Sequence, residues 1–212
     1  MTTILTVDSQ QPSEELIEQA VTFLRDGQVI AYPTETIYGL GADVFNEKAV
    51  KNIYALKARD VGLPISILIS DLAMLRQCAS SVSDQALKLA RTFWPGALTI
   101  LFPASKLISK TYVTNTGKVG IRISSHPIAS AIVRAFGRPI TTTSANPSDY
   151  PPSLTAKHVL KYFGNKIPCI IDGGEYEPSR GSTVVDVAEE SMRIIREGAI
   201  PAEDLIKCFQ GK

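Results

Sequence analysis

The stretch Pro33-Thr34-Glu35-Thr36-Ile37-Tyr38-Gly39-Leu40-Gly41-Ala42 follows directly on the apolar run Val29-Ile30-Ala31 and Tyr32. Pro33 cannot donate a ladder hydrogen bond, so it marks a strand end. Beyond it stand two hydroxyls and a carboxylate, then two glycines whose backbone a ligand can approach closely. Polar groups gathered at a strand exit are how α/β proteins build small-molecule sites. Lys57-Ala58-Arg59-Asp60 sets two cations at a helix end. The macrodipole favours them there, and a point charge beside a planar fork also makes a phosphate clamp. In Lys118-Val119-Gly120-Ile121-Arg122, strand alternation puts Lys118, Gly120 and Arg122 on one face. Such a face is either a charged outer edge or a binding surface for a carboxylate or phosphate, with Gly120 leaving room for the ligand. Thr141-Thr142-Thr143-Ser144-Ala145-Asn146 brings consecutive hydroxyls to another strand end. Arg180-Gly181-Ser182-Thr183 opens a strand with a hydroxyl pair, and Arg193-Ile194-Ile195-Arg196-Glu197-Gly198 ends one in a cation and a turn.

The elements that must hold these residues alternate along the chain. Helices are predicted over 14–26 behind Ser13 as cap, 47–59, 83–93, 127–136, 155–163 and 201–209, from apolar spacing and end signals. Strands are predicted over 29–32, 65–69, 98–102, 119–123, 140–143, 167–171, 183–187 and 193–195. Short strands interleaved with helices predict an α/β fold on an open, mixed sheet, with the polar motifs at strand ends where such a sheet forms a crevice.

Several kinds of chemistry find no support. There is no phosphate-binding G-x-x-x-x-G-K-[ST] loop, and Gly39-Leu40-Gly41 does not continue as G-x-G-x-x-G. There is no G-x-S-x-G elbow, and His126 and His158 are the only histidines. Cys78, Cys169 and Cys208 are far apart and outside metal spacing, which predicts buried, inert thiols in a reduced, cytoplasmic compartment. The first residues lack the basic and apolar segments of a signal peptide, and no apolar run approaches the roughly 20 residues of a membrane span. Lys and Arg number 22 against 21 Asp and Glu, so the net charge of +1 gives no sign of a nucleic-acid surface. It leaves room for a local basic cavity.

The ordered segments PTETIYGLGAD (33–43), LKAR (56–59), FWPGALT (93–99), VGIR with the following His126-Pro127 (119–122), TTSAN (142–146), STVVD (182–186) and IIREGAI (194–200) resemble the YrdC-type threonylcarbamoyl-AMP synthase family. The resemblance covers nearly the whole chain. It implies one domain over residues 1–212, a twisted α/β sheet with flanking helices around a large concave cavity. It implies a nucleotidyltransferase that converts ATP, L-threonine and bicarbonate to threonylcarbamoyl-AMP and pyrophosphate. Mg²⁺ would accompany ATP. The product would pass to a transferase complex that modifies tRNA, with weak tRNA binding by this chain. On the matching positions, Thr34 or Thr36, Arg122 and Ser182 would surround threonine. Lys57, Arg59, Lys118, Thr142, Ser144, Asn146, Pro152 and Arg196 would surround the nucleotide, with Lys57 and Arg59 catalytic.

Two departures stand out. Asp60 replaces the proline that usually follows the K-x-R arginine, and would either weaken the clamp or help hold Mg²⁺. Pro147-Ser148-Asp149-Tyr150 lacks the glycine that often follows S-A-N-x-S, which predicts a differently shaped loop. The alternative reading is an RNA-binding module for tRNA or double-stranded RNA, without turnover.

Overall fold

The computed structural model describes residues 1–188 and 190–211. The chain runs β1 (Thr3–Thr6), α1 (Glu14–Arg25), β2 (Ile30–Pro33), β3 (Tyr38–Gly41), α2 (Glu47–Lys57), β4 (Ile67–Leu68), α3 (Leu72–Cys78), α4 (Asp84–Phe93) and β5 (Leu98–Pro103). It continues through β6 (Lys118–Arg122), α5 (Pro127–Phe136), β7 (Ile140–Thr141), β8 (Thr143–Ser144), α6 (Ala156–Phe163), β9 (Cys169–Asp172), β10 (Thr183–Val187), β11 (Met192–Arg196) and α7 (Ala202–Gln210). The mixed sheet is two sheets among the described residues. One has the order β1-β9-β2-β3-β8, the other β11-β10-β5-β6-β4-β7. Each combines parallel and antiparallel pairs.

Helices α1, α5 and α6 pack on the first sheet, α4 and α7 on the second. α1 buries Ile17, Ala20, Val21 and Leu24 on one stripe, and a side chain such as isoleucine, valine or leucine contributes about 1.5–3 kcal/mol when taken fully from water. Its acidic first turn suits the helix dipole, but the predicted Ser13 cap makes no side-chain bond. α5 starts at Pro127, and His126 caps it by accepting the Ile128 N–H at Nδ1 over 3.2 Å. The other ring nitrogen, Nε2, lies 2.6 Å from the Tyr176 hydroxyl. Burial holds this imidazole below its ordinary pKa and so neutral, as the cap requires. Cys78 and Cys169 are buried, and burial pushes both thiols up to about 12. No helix among the described residues is long and apolar enough to cross a membrane.

Two departures from the predicted elements matter for the site. Tyr38–Gly41, for which no strand is predicted, is a fully buried strand antiparallel to β2. Gly41 serves packing: a Cβ there would lie 2.8 Å from Cε1 of the buried Tyr32 ring, whereas one on Gly39 would meet nothing nearer than 3.5 Å. The predicted strand 140–143 is broken, because the chain changes sheets within it. β7 pairs with β4 in the second sheet and β8 with β3 in the first. Thr141 stitches this seam: its hydroxyl donates to Leu40 O (2.8 Å) and accepts from Ala42 N–H (3.0 Å), and its carbonyl accepts from the Tyr32 hydroxyl (2.9 Å). Thr142 is left at the crossing, facing the space between the sheets.

Candidate active site

A pocket of about 320 Å³ lies between the two sheets. The first sheet supplies Tyr38 and Gly39, Thr143 and Ser144, with Thr34, Thr36 and Ile37 from the β2–β3 turn. The second supplies Thr99, Arg122 and Arg196. Connecting segments add Arg59, Pro64–Ser66, Thr142, Asn146, Pro152 and 179–182. Four arginines (59, 122, 180 and 196) line the pocket, and among the described residues no carboxylate does. A chain of nearly zero net charge thus concentrates cation in one cleft, which can neutralise a polyanion and orient it by planar, bidentate bonding. Crowding shows in Arg196, whose pKa is lowered by burial and by the charge of Arg122.

Arg122 is 4% exposed. Its Nη1 lies 3.1 Å from Glu35 Oε1, and its Nη2 donates to Thr142 Oγ1 over 3.3 Å. Ser124 donates to the other Glu35 oxygen. Glu35 therefore balances the guanidinium from outside the pocket lining, a role that the sequence did not mark. Thr34 and Thr36 hydroxyls lie 3.0 Å apart. Ser182 accepts from Thr99 Oγ1 (3.0 Å), while Arg196 donates through Nη2 to the Ser182 carbonyl (2.8 Å) and hydroxyl (3.2 Å). Trp94 explains part of the FWPGALT motif. It precedes a cis Pro95, and its indole donates to Leu98 O over 2.7 Å, fixing the turn that delivers Thr99 to the cleft.

Buried polar atoms are nearly always satisfied by protein, water or a bound group, and several exceptions gather at this pocket. Arg59 Nε, Arg122 Nε and Asn146 Oδ1, all on lining residues, are buried without hydrogen-bond partners, as is Ser148 Oγ on the adjoining loop. Arg59 uses one terminal nitrogen on Pro64 O at 3.1 Å.

All the predicted site residues except Lys57 and Lys118 line this pocket. Lys118 forms an ion pair with Asp186, the last residue of the STVVD segment, and stands outside the lining. The space beside Gly120 is not open either. A Cβ there would meet Ser66 Oγ and Thr99 Cγ2, each at 2.9 Å. Of the predicted cationic face only Arg122 reaches the cleft. Lys57 is 2% exposed and spends its ammonium on protein oxygens. Ser66 and Thr99 were missed. Each is one polar residue in an apolar strand region, and only pairing across the sheet shows where it points.

The turn joining Lys57 to Arg59 is strained. Ala58 caps α2 in the left-handed region, at φ 48°. This conformation costs an L-residue about 1–2 kcal/mol and a glycine almost nothing. Ala58→Gly is expected to raise stability by about 1 kcal/mol, read as a higher urea midpoint at unchanged slope. An unchanged or lower midpoint would show that the cap is relaxed as it stands. Asp149 likewise sits at φ 66°, so the turn adopts a glycine-like backbone without glycine. Asp60 is exposed and outside the pocket lining. Among the described residues no cluster of three His, Cys, Asp or Glu could hold a metal ion. Mg²⁺ commonly binds through one or two carboxylates together with substrate phosphates.

A family model for Sua5/YciO/YrdC, described as "Telomere recombination", matches residues 22–198. The chain belongs to the Sua5/YciO/YrdC family. It is 38% identical over 207 residues to a threonylcarbamoyl-AMP synthase of Pyrococcus abyssi, an alignment covering 98% of this chain and 61% of the relative. It is 36% identical over 199 residues to that of Bacillus subtilis, covering 93% of this chain and 58% of the relative. The chain thus spans about three fifths of the length of these curated family members. A crystal structure of P. abyssi Sua5 complexed with L-threonine superposes with a TM-score of 0.93 at 38% identity, over 98% of this chain and 61% of that one. The α/β architecture is that of the family.

Proposed function

We propose that the chain is an L-threonylcarbamoyladenylate synthase that uses ATP, L-threonine and bicarbonate. The observation that carries this reading is the cleft itself, with four arginines, a row of hydroxyls and, among the described residues, no carboxylate. Relatives named threonylcarbamoyl-AMP synthase, and a related structure holding L-threonine, support it. Arg122 takes the threonine carboxylate as a bidentate partner, beside Ser182 and the Thr34 and Thr36 hydroxyls. The neutral amine attacks bicarbonate and water leaves, giving a carbamate. The carbamate oxygen, already anionic, attacks the α-phosphorus of ATP and expels pyrophosphate. This step needs alignment and charge neutralisation more than covalent help. Arg59 and Arg196 supply charge to the phosphates, and Thr142, Ser144 and Asn146 supply hydrogen bonds. Shelter from water between the sheets protects the carbamate and the mixed anhydride. Mg²⁺ would accompany ATP as its counter-ion, adding positive charge at the phosphates. The product serves a tRNA-modifying transferase in the cytoplasm.

The test is pyrophosphate release from ATP by the purified chain. Release that requires both L-threonine and bicarbonate is expected. ATP binding without release would mean a different second substrate. Absence of ATP binding, with salt-sensitive RNA affinity, would replace this reading by the RNA-binding one.

A further inference from the structure

The resemblance gives Lys57 a place among the nucleotide ligands, yet the geometry gives its ammonium a different task. Lys57 is the last residue of α2. Its Nζ donates to Ser144 O at 2.6 Å, Asn146 O at 2.6 Å and Ser144 Oγ at 3.4 Å. An ammonium has three donors, and these three acceptors use them all. The side chain is buried, outside the pocket lining. Arg59, two residues on, does line the pocket and keeps a buried Nε without a partner. The left-handed turn at Ala58 separates the two cations.

The effect on the hydroxyl-rich loop is directional. Ser144 and Asn146 line the cleft, and their carbonyl oxygens are drawn to Lys57. The carbonyl between them, Ala145 O, accepts from the buried Ser153 hydroxyl at 2.5 Å. Three consecutive carbonyls thus point at donors outside the pocket lining. A carbonyl oxygen carries partial negative charge and would repel a phosphate. Turning these three away leaves side-chain hydroxyl and amide groups at the pocket edge. The loop returns the contact, because Ser148 N–H donates to Lys57 O at 2.9 Å.

We propose that Lys57 is a positioning residue: its ammonium holds the Ser144 and Asn146 carbonyls away from the anion cleft and does not itself touch the nucleotide. This rests on the nucleotide reading of the pocket only for its consequence, not for the anchoring. Burial, followed by the neighbouring charge of Arg59, brings the Lys57 pKa down to about 8, so the group still carries its proton at pH 7.

The deciding measurement is NMR of the wild-type chain with ¹⁵N-labelled lysine. The Lys57 ammonium should show through-hydrogen-bond coupling to the Ser144 and Asn146 carbonyls, both alone and with saturating ATP. Replacement of either coupling by one to phosphorus overturns the proposal. Lys57→Met supplies a second readout. Amide exchange at Ala145 and Ser148 should accelerate about tenfold or more, as expected when charge-assisted bonds of about 1.5–3 kcal/mol are lost. Exchange in α5 should not change. The ATP KM should rise with the threonine KM unchanged, a split that general loosening would not give. Unaltered loop exchange overturns the proposal. If Lys57→Met does not fold, the wild-type couplings decide alone. If the chain does not bind ATP, the nucleotide reading falls, and the ligand-free couplings and exchange still decide the anchoring.

Discussion

Arg122→Ala is expected to raise the threonine KM by roughly a hundredfold to a thousandfold, the range that follows from truncating one member of a buried, hydrogen-bonded charge pair. The variant should also lose stability, because Glu35 and Arg122 are within 3.1 Å with side chains 16% and 5% exposed. Removing one partner of such a pair leaves a buried charge without compensation, which costs about 3–5 kcal/mol. A loss of threonine affinity alone could then be read as a damaged fold. Glu35→Ala combined with Arg122→Ala separates the two effects. Removing both charges relieves the uncompensated carboxylate, so the urea midpoint should recover much of its loss. Threonine affinity should stay as low as in the single variant, since the proposed partner of the threonine carboxylate is still missing. Near-normal threonine KM in the folded double variant would show that the amino acid binds elsewhere. Recovery of affinity with recovery of stability would reduce Arg122 to a structural ion pair.

The sequence revealed most of the cleft because its residues lie at strand ends, in turns whose polarity has no core to serve. Thr34, Thr36, Arg59, Thr142, Ser144 and Asn146 could all be read that way. What it concealed depends on pairing between distant segments. Lys118 and Arg122 share a strand face, but Lys118 is claimed by Asp186 of β10, across the intervening β5, a partner that spacing cannot display. Lys57 looked like half of a clamp until the Ser144 and Asn146 carbonyls were placed against it. The β3 strand was hidden by glycines that local propensity assigns to turns, whereas Gly41 makes room for the Tyr32 ring. The run 140–144 has one continuous β-like pattern, and nothing local records that its halves join different sheets. α3 has only seven residues and rests on an Asp71 cap, too short for helical periodicity to emerge.

Gly198→Ala is expected to cripple or abolish activity, although Gly198 is absent from the pocket lining. The reason lies in how the IIREGAI and STVVD segments hold each other. Thr183 Oγ1 donates to Ile200 O (2.6 Å) and accepts from the N–H groups of Gly198 (2.9 Å) and Ile200 (3.1 Å), while Ala199 N–H donates to Gly181 O (2.8 Å). These bonds press residue 198 against the turn that presents Ser182. A Cβ on Gly198 would fall 2.4 Å from Gly181 O, 2.5 Å from Ser182 C and 2.6 Å from Ser182 O. Every one of those atoms is backbone, so no side-chain rotation relieves the contact. The 181–183 turn must move or the 198–200 segment must detach. Either displaces Ser182 from Thr99 and releases Arg196 from the Ser182 carbonyl, so the proposed threonine and phosphate sites fail together. Stability should fall by about 3 kcal/mol, the upper end of what overpacking usually costs, with both KM values raised or turnover lost outright. Urea unfolding and steady-state kinetics on the same preparation check both effects. A folded Gly198→Ala variant with ordinary turnover would mean that the two segments can separate without disturbing Ser182, and Arg196 would then need another route to the phosphates.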